Sequence, residues 1–225
     1  NETWEQPWGE QRLIENNYKE LTVNLENQKG VKFNVIFRAF NDGFAFRYAF
    51  PEQEKLTEFT IMDELSEFNM SDNHMSWTIP AFSGNRYEYI YDNKPISDFE
   101  RVHTPMTIET KDGLFLAIHE AALTNYSSMV VSNKGNNSVK CEGVPYSTTD
   151  DTKAYLKAPF STPWRTLQIG ESAGDLITNY MALNLNEENK LGDVSYVKPG
   201  KYIGVWWEMF IQVGTWAQGE KHAAN

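Results

Sequence analysis

The sequence predicts an all-β protein built as one large antiparallel β-sandwich. Three observations carry this: apolar residues alternate with polar ones, Asn/Asp-Gly punctuation recurs between the alternating runs, and residues 20–170 contain no convincing amphipathic helix. LTVNLE, the turn NQKG, VKFNVIFRAF, the turn NDG and FAFRYAF read as three strands of a meander. The same grammar continues through KLTEFTIM, SEFNMS, HMSWTIPAF, NRYEYIY, MTIETKDGLFLAIHEAAL, YSSMVVSN, NSVKCEG, TKAYLKAPF and PWRTLQIG. The DG within TIETKDGLFLAIHE marks a hairpin. Trp77, Tyr87, Tyr89 and Tyr91 keep a period of two within their run, which supplies rings to both faces of a strand.

After residue 170 the pattern changes. ESAGDLITNYMALNLNEENK reads either as a short helix opened by Ser172 with Asp175 three residues on, or as a loop followed by the strand LITNYMALNL. Its β-branched and aromatic content favours the strand or a mixture of the two. PG then makes a turn, and KYIGVWW is a compact apolar run of the kind a buried parallel strand shows. No linker rich in Pro, Gly or Ser sets this last stretch apart, so it is expected to pack on the sandwich.

Composition limits the function. With 40% hydrophobic and 14% aromatic residues the chain can fill a sizeable core, and this argues against disorder. A net charge of -11 and a pI near 4.9 disfavour nucleic acid as a partner, because phosphate binding rests on Lys and Arg. No apolar run is long enough for a membrane span. The single cysteine, Cys141, excludes an intrachain disulfide and a multi-cysteine zinc site, and reads as a buried structural thiol. No nucleophile elbow, phosphate loop, dinucleotide fingerprint, HExxH or EF-hand loop is present.

The residues with chemical potential are few. In LAIHEAAL, His119 and Glu120 are neighbours at the end of a strand and point to opposite faces. Glu120 is either a solvated strand-end carboxylate or one ligand of a hard cation that collects oxygens from several segments. Arg86 and Arg165 can fix carboxylates, and an ion pair is their default reading. In WWEMF, Trp206 and Trp207 suit sugar rings or core packing. Glu208 is either a carboxylate at the catalytic end of a barrel strand or a loop residue held by backbone N–H groups.

The ordered phrases WEQPWGE, SWTIPAFSGNRYEYIY, HTPMTIETKDGLFLAIHEAALTNYSSM, PWRTLQIGESAGDLITNYMALNLNEENKLGDVSYVKPGKYIGVWWEMF and TWAQGEKHAAN resemble the N-terminal region of glycoside hydrolase family 97. That family comprises bacterial retaining and inverting α-glycosidases acting on α-glucosides or α-galactosides. The resemblance implies a galactose mutarotase-like β-super-sandwich over residues 1–197, followed over 198–225 by the first strand, KYIGVWWEMF, of a truncated catalytic (β/α)8 barrel. It further implies a non-catalytic role: the sandwich packs on the barrel, forms part of the pocket wall, and supplies Glu120 as a ligand to a calcium ion. Trp206, Trp207 and Glu208 are the substrate-contact candidates, and the substrate would be an oligosaccharide or other α-glycoside. Catalytic residues are expected in the barrel beyond Asn225, so the fragment alone should be inactive, and the parent should be periplasmic or secreted. TWAQGEKHAAN departs from the family at Glu220 and Ala223, where proline and glycine are commoner. Two alternatives stand beside this reading: a freestanding carbohydrate-binding β-sandwich, and a sugar mutarotase, for which the histidines at 74, 103, 119 and 222 form no supporting motif.

Overall fold

A computed structural model describes residues 1–6, 9–82, 87 and 89–201. The first described strands form a hairpin of β1 (Glu2–Glu5) and β2 (Leu13–Asn16), a pair that no apolar alternation signals in the sequence. The expected meander follows as β3 (Lys19–Glu26), β4 (Lys32–Phe40) and β5 (Gly43–Phe50), in antiparallel register. Gly43 closes the second turn at φ +154°, and a Cβ there would lie 2.4 Å from the carbonyl oxygen of Leu167. Only glycine permits this approach of two strand backbones.

The middle of the chain supplies β6 (Glu58–Ile61), β7 (Glu67–Asn69), β8 (Met75–Thr78), β9 (Asp92–Pro95), β10 (Arg101–His103), β11 (Met106–Glu109) and β12 (Phe115–Ala121). The predicted hairpin around DG is the β11–β12 pair, with Gly113 at φ +91°. The tyrosine-rich run departs from expectation. Tyr89 and Tyr91 are exposed and lie in no strand, and the pairing partner of β8 is instead DNKP. That tetrapeptide joins by backbone pairing and by the Ser76 hydroxyl donating to the Lys94 carbonyl at 2.8 Å, contacts that its own side-chain pattern cannot signal.

Next come β13 (Met129–Gly135), β14 (Ser138–Gly143), β15 (Ala154–Lys157), β16 (Phe160–Ser161) and β17 (Trp164–Gly170). Two short helices follow, α1 (Ala173–Ile177) and α2 (Met181–Asn184), so the preferred strand LITNYMALNL does not form. Ser172 and Asp175 act as the helix-start pair, with the Asp175 carboxylate accepting the Ser172 N–H at 2.8 Å. This local closure overrides the β-branched content.

Among the described residues the strands form a nine-stranded sheet, ordered β3-β4-β5-β17-β12-β11-β8-β9 with β16 beside β5, and a four-stranded sheet ordered β10-β13-β14-β7. Two further pairs, β1-β2 and β15-β6, complete the all-β super-sandwich. The main core lies between the two larger sheets. Met106, Ile108, Leu116 and Ile118 from one meet Val102, Met129, Val131, Val139 and Cys141 from the other. Each such aliphatic side chain contributes about 1.5–3 kcal/mol by leaving water. Cys141 is the buried thiol expected, and burial pushes it up to about 12.

The opposite face of the nine-stranded sheet carries a second core, where Ala45, Ala121 and Trp164 pack under Met181 and Leu185. The guanidinium carbons of Arg38 and Arg47 lie 4.9 and 4.4 Å from the Trp164 ring centre. Asn184 ties α2 to the first hairpin by accepting from Trp4 Nε1 and donating to the Glu15 carbonyl, both at 2.8 Å. Among the described residues no helix is long and apolar enough to cross a membrane.

Candidate functional site

Strands β12 and β17 pair so that His119 faces Thr166, Glu120 faces Arg165 and Ala121 faces Trp164. Directly opposed residues share a face, so Glu120 and Arg165 both enter the space between the sheets while His119 points away. Arg165 Nη1 donates to Glu120 Oε2 at 2.8 Å. The other Glu120 oxygen accepts the Met129 backbone N–H of β13, also at 2.8 Å. One carboxylate therefore spans the two sheets.

Glu64, in the segment between β6 and β7, completes the network. Arg165 Nε donates to Glu64 Oε1 at 2.9 Å and to Oε2 at 3.2 Å, and Nη2 donates to Oε2 at 2.6 Å. Arg165 is 1% exposed, and Glu64 and Glu120 are 8% exposed each, so this is a buried carboxylate–guanidinium–carboxylate triad. Tyr126 lies with its ring centre 5.8 Å from the guanidinium carbon, and Tyr48 shares a 2.9 Å hydrogen bond with Ser66 nearby.

The triad has one more negative than positive group. Burial pushes the Glu120 carboxyl above its ordinary value, and Arg165 and the Met129 N–H offset that only in part. Burial also opposes the charged form of Arg165, but the hydrogen bonds and charge of Glu64, together with the charge of Glu120, outweigh it and raise its proton affinity. Both shifts describe a site with surplus anionic charge and little water. Glu120 is thus not the solvated strand-end carboxylate of the simpler reading. For Arg165 the internal ion pair is the correct one.

A calcium ion needs six to eight oxygens, and a carboxylate offers about four lone-pair directions. Glu120 has one hydrogen bond to each oxygen and keeps 7% side-chain exposure, so it fits as one ligand of several. Among the described residues no group of three His, Cys, Asp or Glu could hold an ion, and the remaining ligands would have to come from elsewhere.

Among the described residues the histidines do not assemble a second site. His119 is half-buried on the far face from Glu120, and burial lowers its pKa. His103 is likewise depressed by burial and sits 4.4 Å, ring to ring, from Tyr87. His74 serves a turn, its Nδ1 accepting the Lys111 N–H at 3.2 Å. His222, Arg86 and the substrate-contact candidates Trp206, Trp207 and Glu208 lie outside the described residues, as does most of the stretch 198–225. Glu64 and Ser66 carry no signal in the sequence, since DELSEF has no motif and the Glu64 partner Arg165 is 101 residues away.

With this geometry in place, the comparisons decide the family. The sequence matches the family described as Glycosyl-hydrolase 97 N-terminal over residues 1–188. The chain belongs to that family. A glycoside hydrolase family 97 enzyme from Pseudoalteromonas sp. strain K8, solved in complex with acarbose, is 44% identical with a TM-score of 0.85, covering 96% of this chain and 33% of that one. A variant of the same enzyme has been solved in complex with panose. A retaining alpha-galactosidase of Bacteroides thetaiotaomicron is 24% identical over 86% of this chain and 33% of its own length. This chain of the family 97 N-terminal type therefore spans about a third of the length of the curated relatives it matches.

Proposed function

We propose that this chain is the non-catalytic N-terminal super-sandwich of an α-glycosidase that hydrolyses α-glucosides or α-galactosides. It packs on a catalytic (β/α)8 barrel that begins near residue 198, forms part of the sugar pocket wall, and contributes Glu120 as one calcium ligand. The observation that carries the metal part is the buried triad, in which two carboxylates share one guanidinium and Glu120 retains unused lone pairs. The acarbose and panose complexes of the Pseudoalteromonas enzyme support an oligosaccharide substrate.

Within this reading the chain's own groups bind and orient. Met129 N–H and Arg165 fix the Glu120 carboxylate, and the packed core behind it excludes water. Trp206, Trp207 and Glu208 are the proposed sugar contacts. A bound calcium ion would supply positive charge that polarises and orients the sugar, while general acid and base or nucleophile come from barrel carboxylates. The parent protein is proposed to be periplasmic or secreted.

The test is a paired assay on p-nitrophenyl α-glucoside and α-galactoside. The longer protein containing this chain should turn over one of them and lose activity on calcium chelation, and the purified 225-residue chain should turn over neither. Turnover by the short chain, or none by the longer protein on either substrate, overturns the reading. A carbohydrate-binding role for the chain alone has one observation in its favour. A cavity of about 440 Å³ is lined by Tyr126, Ser127, Tyr146, Lys153 and Tyr155, with Tyr146 and Tyr155 exposed at 75% and 59%. Calorimetric titration of the chain with panose separates this role from a purely supporting one.

A further inference from the structure

The triad divides its one positive charge unequally. Glu64 receives three of the four donor contacts of Arg165, at 2.9, 3.2 and 2.6 Å, and Glu120 receives one, at 2.8 Å. A two-pronged guanidinium–carboxylate contact is the stronger and more directional kind. Arg165 and Glu64 therefore form a nearly neutral unit, and Glu120 keeps most of its own charge while it borrows one hydrogen bond for orientation. Without the Glu64 charge, the whole guanidinium would fall to Glu120 and cancel it.

From this geometry we infer that Glu64 is a positioning residue: it occupies Arg165 so that Glu120 is held in place yet remains an effective anionic ligand for a hard divalent cation. This rests on the reading of Glu120 as a calcium ligand. Glu64 touches neither cation nor sugar and acts through Arg165 alone. The other groups packed around the guanidinium, Tyr126 above it and Cys141 in the adjoining core, remain neutral, since burial pushes each up to about 12.

The experiment measures calcium binding by titration calorimetry in the longer protein, stripped of metal, with the calcium-induced rise in Tm as a second readout. Glu64→Gln keeps the size of the side chain and removes its charge, and should weaken calcium binding about tenfold to a hundredfold, the range for residues one step behind a metal ligand. The double variant Glu64→Gln/Arg165→Met removes both halves of the neutral unit and should bind calcium about fivefold more tightly than Glu64→Gln while staying weaker than wild type, since Glu120 again has no cation beside it but has lost the hydrogen bond that orients it. A merely structural role gives the opposite order, with the double variant worse than the single. Wild-type protein that takes up no calcium overturns the calcium reading itself and this inference with it. Calcium binding by wild type that Glu64→Gln leaves within twofold, or a folded double variant that binds no better than Glu64→Gln, overturns the inference alone.

Discussion

Replacing Arg165 by methionine isolates the energetics of the buried triad. The guanidinium is 1% exposed and satisfies two carboxylates that are 8% exposed each, through four contacts of 2.6–3.2 Å. Removing it leaves two buried anions facing each other, and breaking a buried pair in this way costs about 3–5 kcal/mol. With a urea slope of about 2–3 kcal/mol/M, the midpoint should fall by about 1.5 M. The assay is urea unfolding of the chain followed by tryptophan fluorescence at two pH values. In the variant, burial and the repulsion of Glu64, no longer offset by Arg165, raise the Glu120 pKa further above its value in the unfolded chain. The lost stability therefore grows as pH rises through these two values, and the deficit should be clearly smaller at pH 4.5 than at pH 7.5. The triple variant Glu64→Gln/Arg165→Met/Glu120→Gln has no charge to bury and should regain at least half of the loss. A deficit under about 1 kcal/mol, or one that does not change with pH, would refute the assignment of the triad as a coupled buried ion network.

Two further outcomes follow from the packing. Gly43→Ala should destabilise the chain by about 2–4 kcal/mol in the same urea assay, because the new Cβ meets the Leu167 carbonyl oxygen at 2.4 Å and the backbone sits at φ +154°. Cys141 and Tyr126 are both held up to about 12, from ordinary values of 9.0 and 10.0, chiefly by burial. Folding thus favours their neutral forms. Their contribution to stability is complete below pH 9 and is lost between pH 9 and 12, where each pKa unit is worth about 1.4 kcal/mol. An alkaline pH series of thermal melts should show the decline, and Ellman's reagent at pH 8 should react with Cys141 only after unfolding.

Much of the fold was written locally. The turns NQKG, NDG and KDG delimit β3, β4, β5, β11 and β12, because glycine conformations and two-residue periodicity are properties of short windows. What escaped depends on partners distant in the chain. DNKP is a strand only because β8 offers it a backbone, and the helices at 173–184 form where a local Ser172–Asp175 contact outweighs strand-forming composition. Of the site, Glu120 and Arg165 were legible as chemical candidates, one as a possible ligand and one as a fixer of carboxylates. Their pairing was not, since it arises from the register of β12 with β17 across 45 residues. Glu64 carried no signal at all, having neither motif nor periodic position. A buried loop carboxylate becomes visible only once its cation is placed beside it.

The dipeptide Trp164-Arg165 has a consequence for how the large sheet assembles. Its two side chains serve opposite faces, the indole lying with Ala45, Ala121, Met181 and Leu185 and the guanidinium between Glu64 and Glu120. A slip of β17 by one residue against its neighbours would exchange them, driving a cation into an apolar pocket and an indole between two anions. Both errors occur together, so their costs add. The strand that carries the ion network thereby proofreads its own alignment, and a mispaired sheet is rejected by charge as well as by shape.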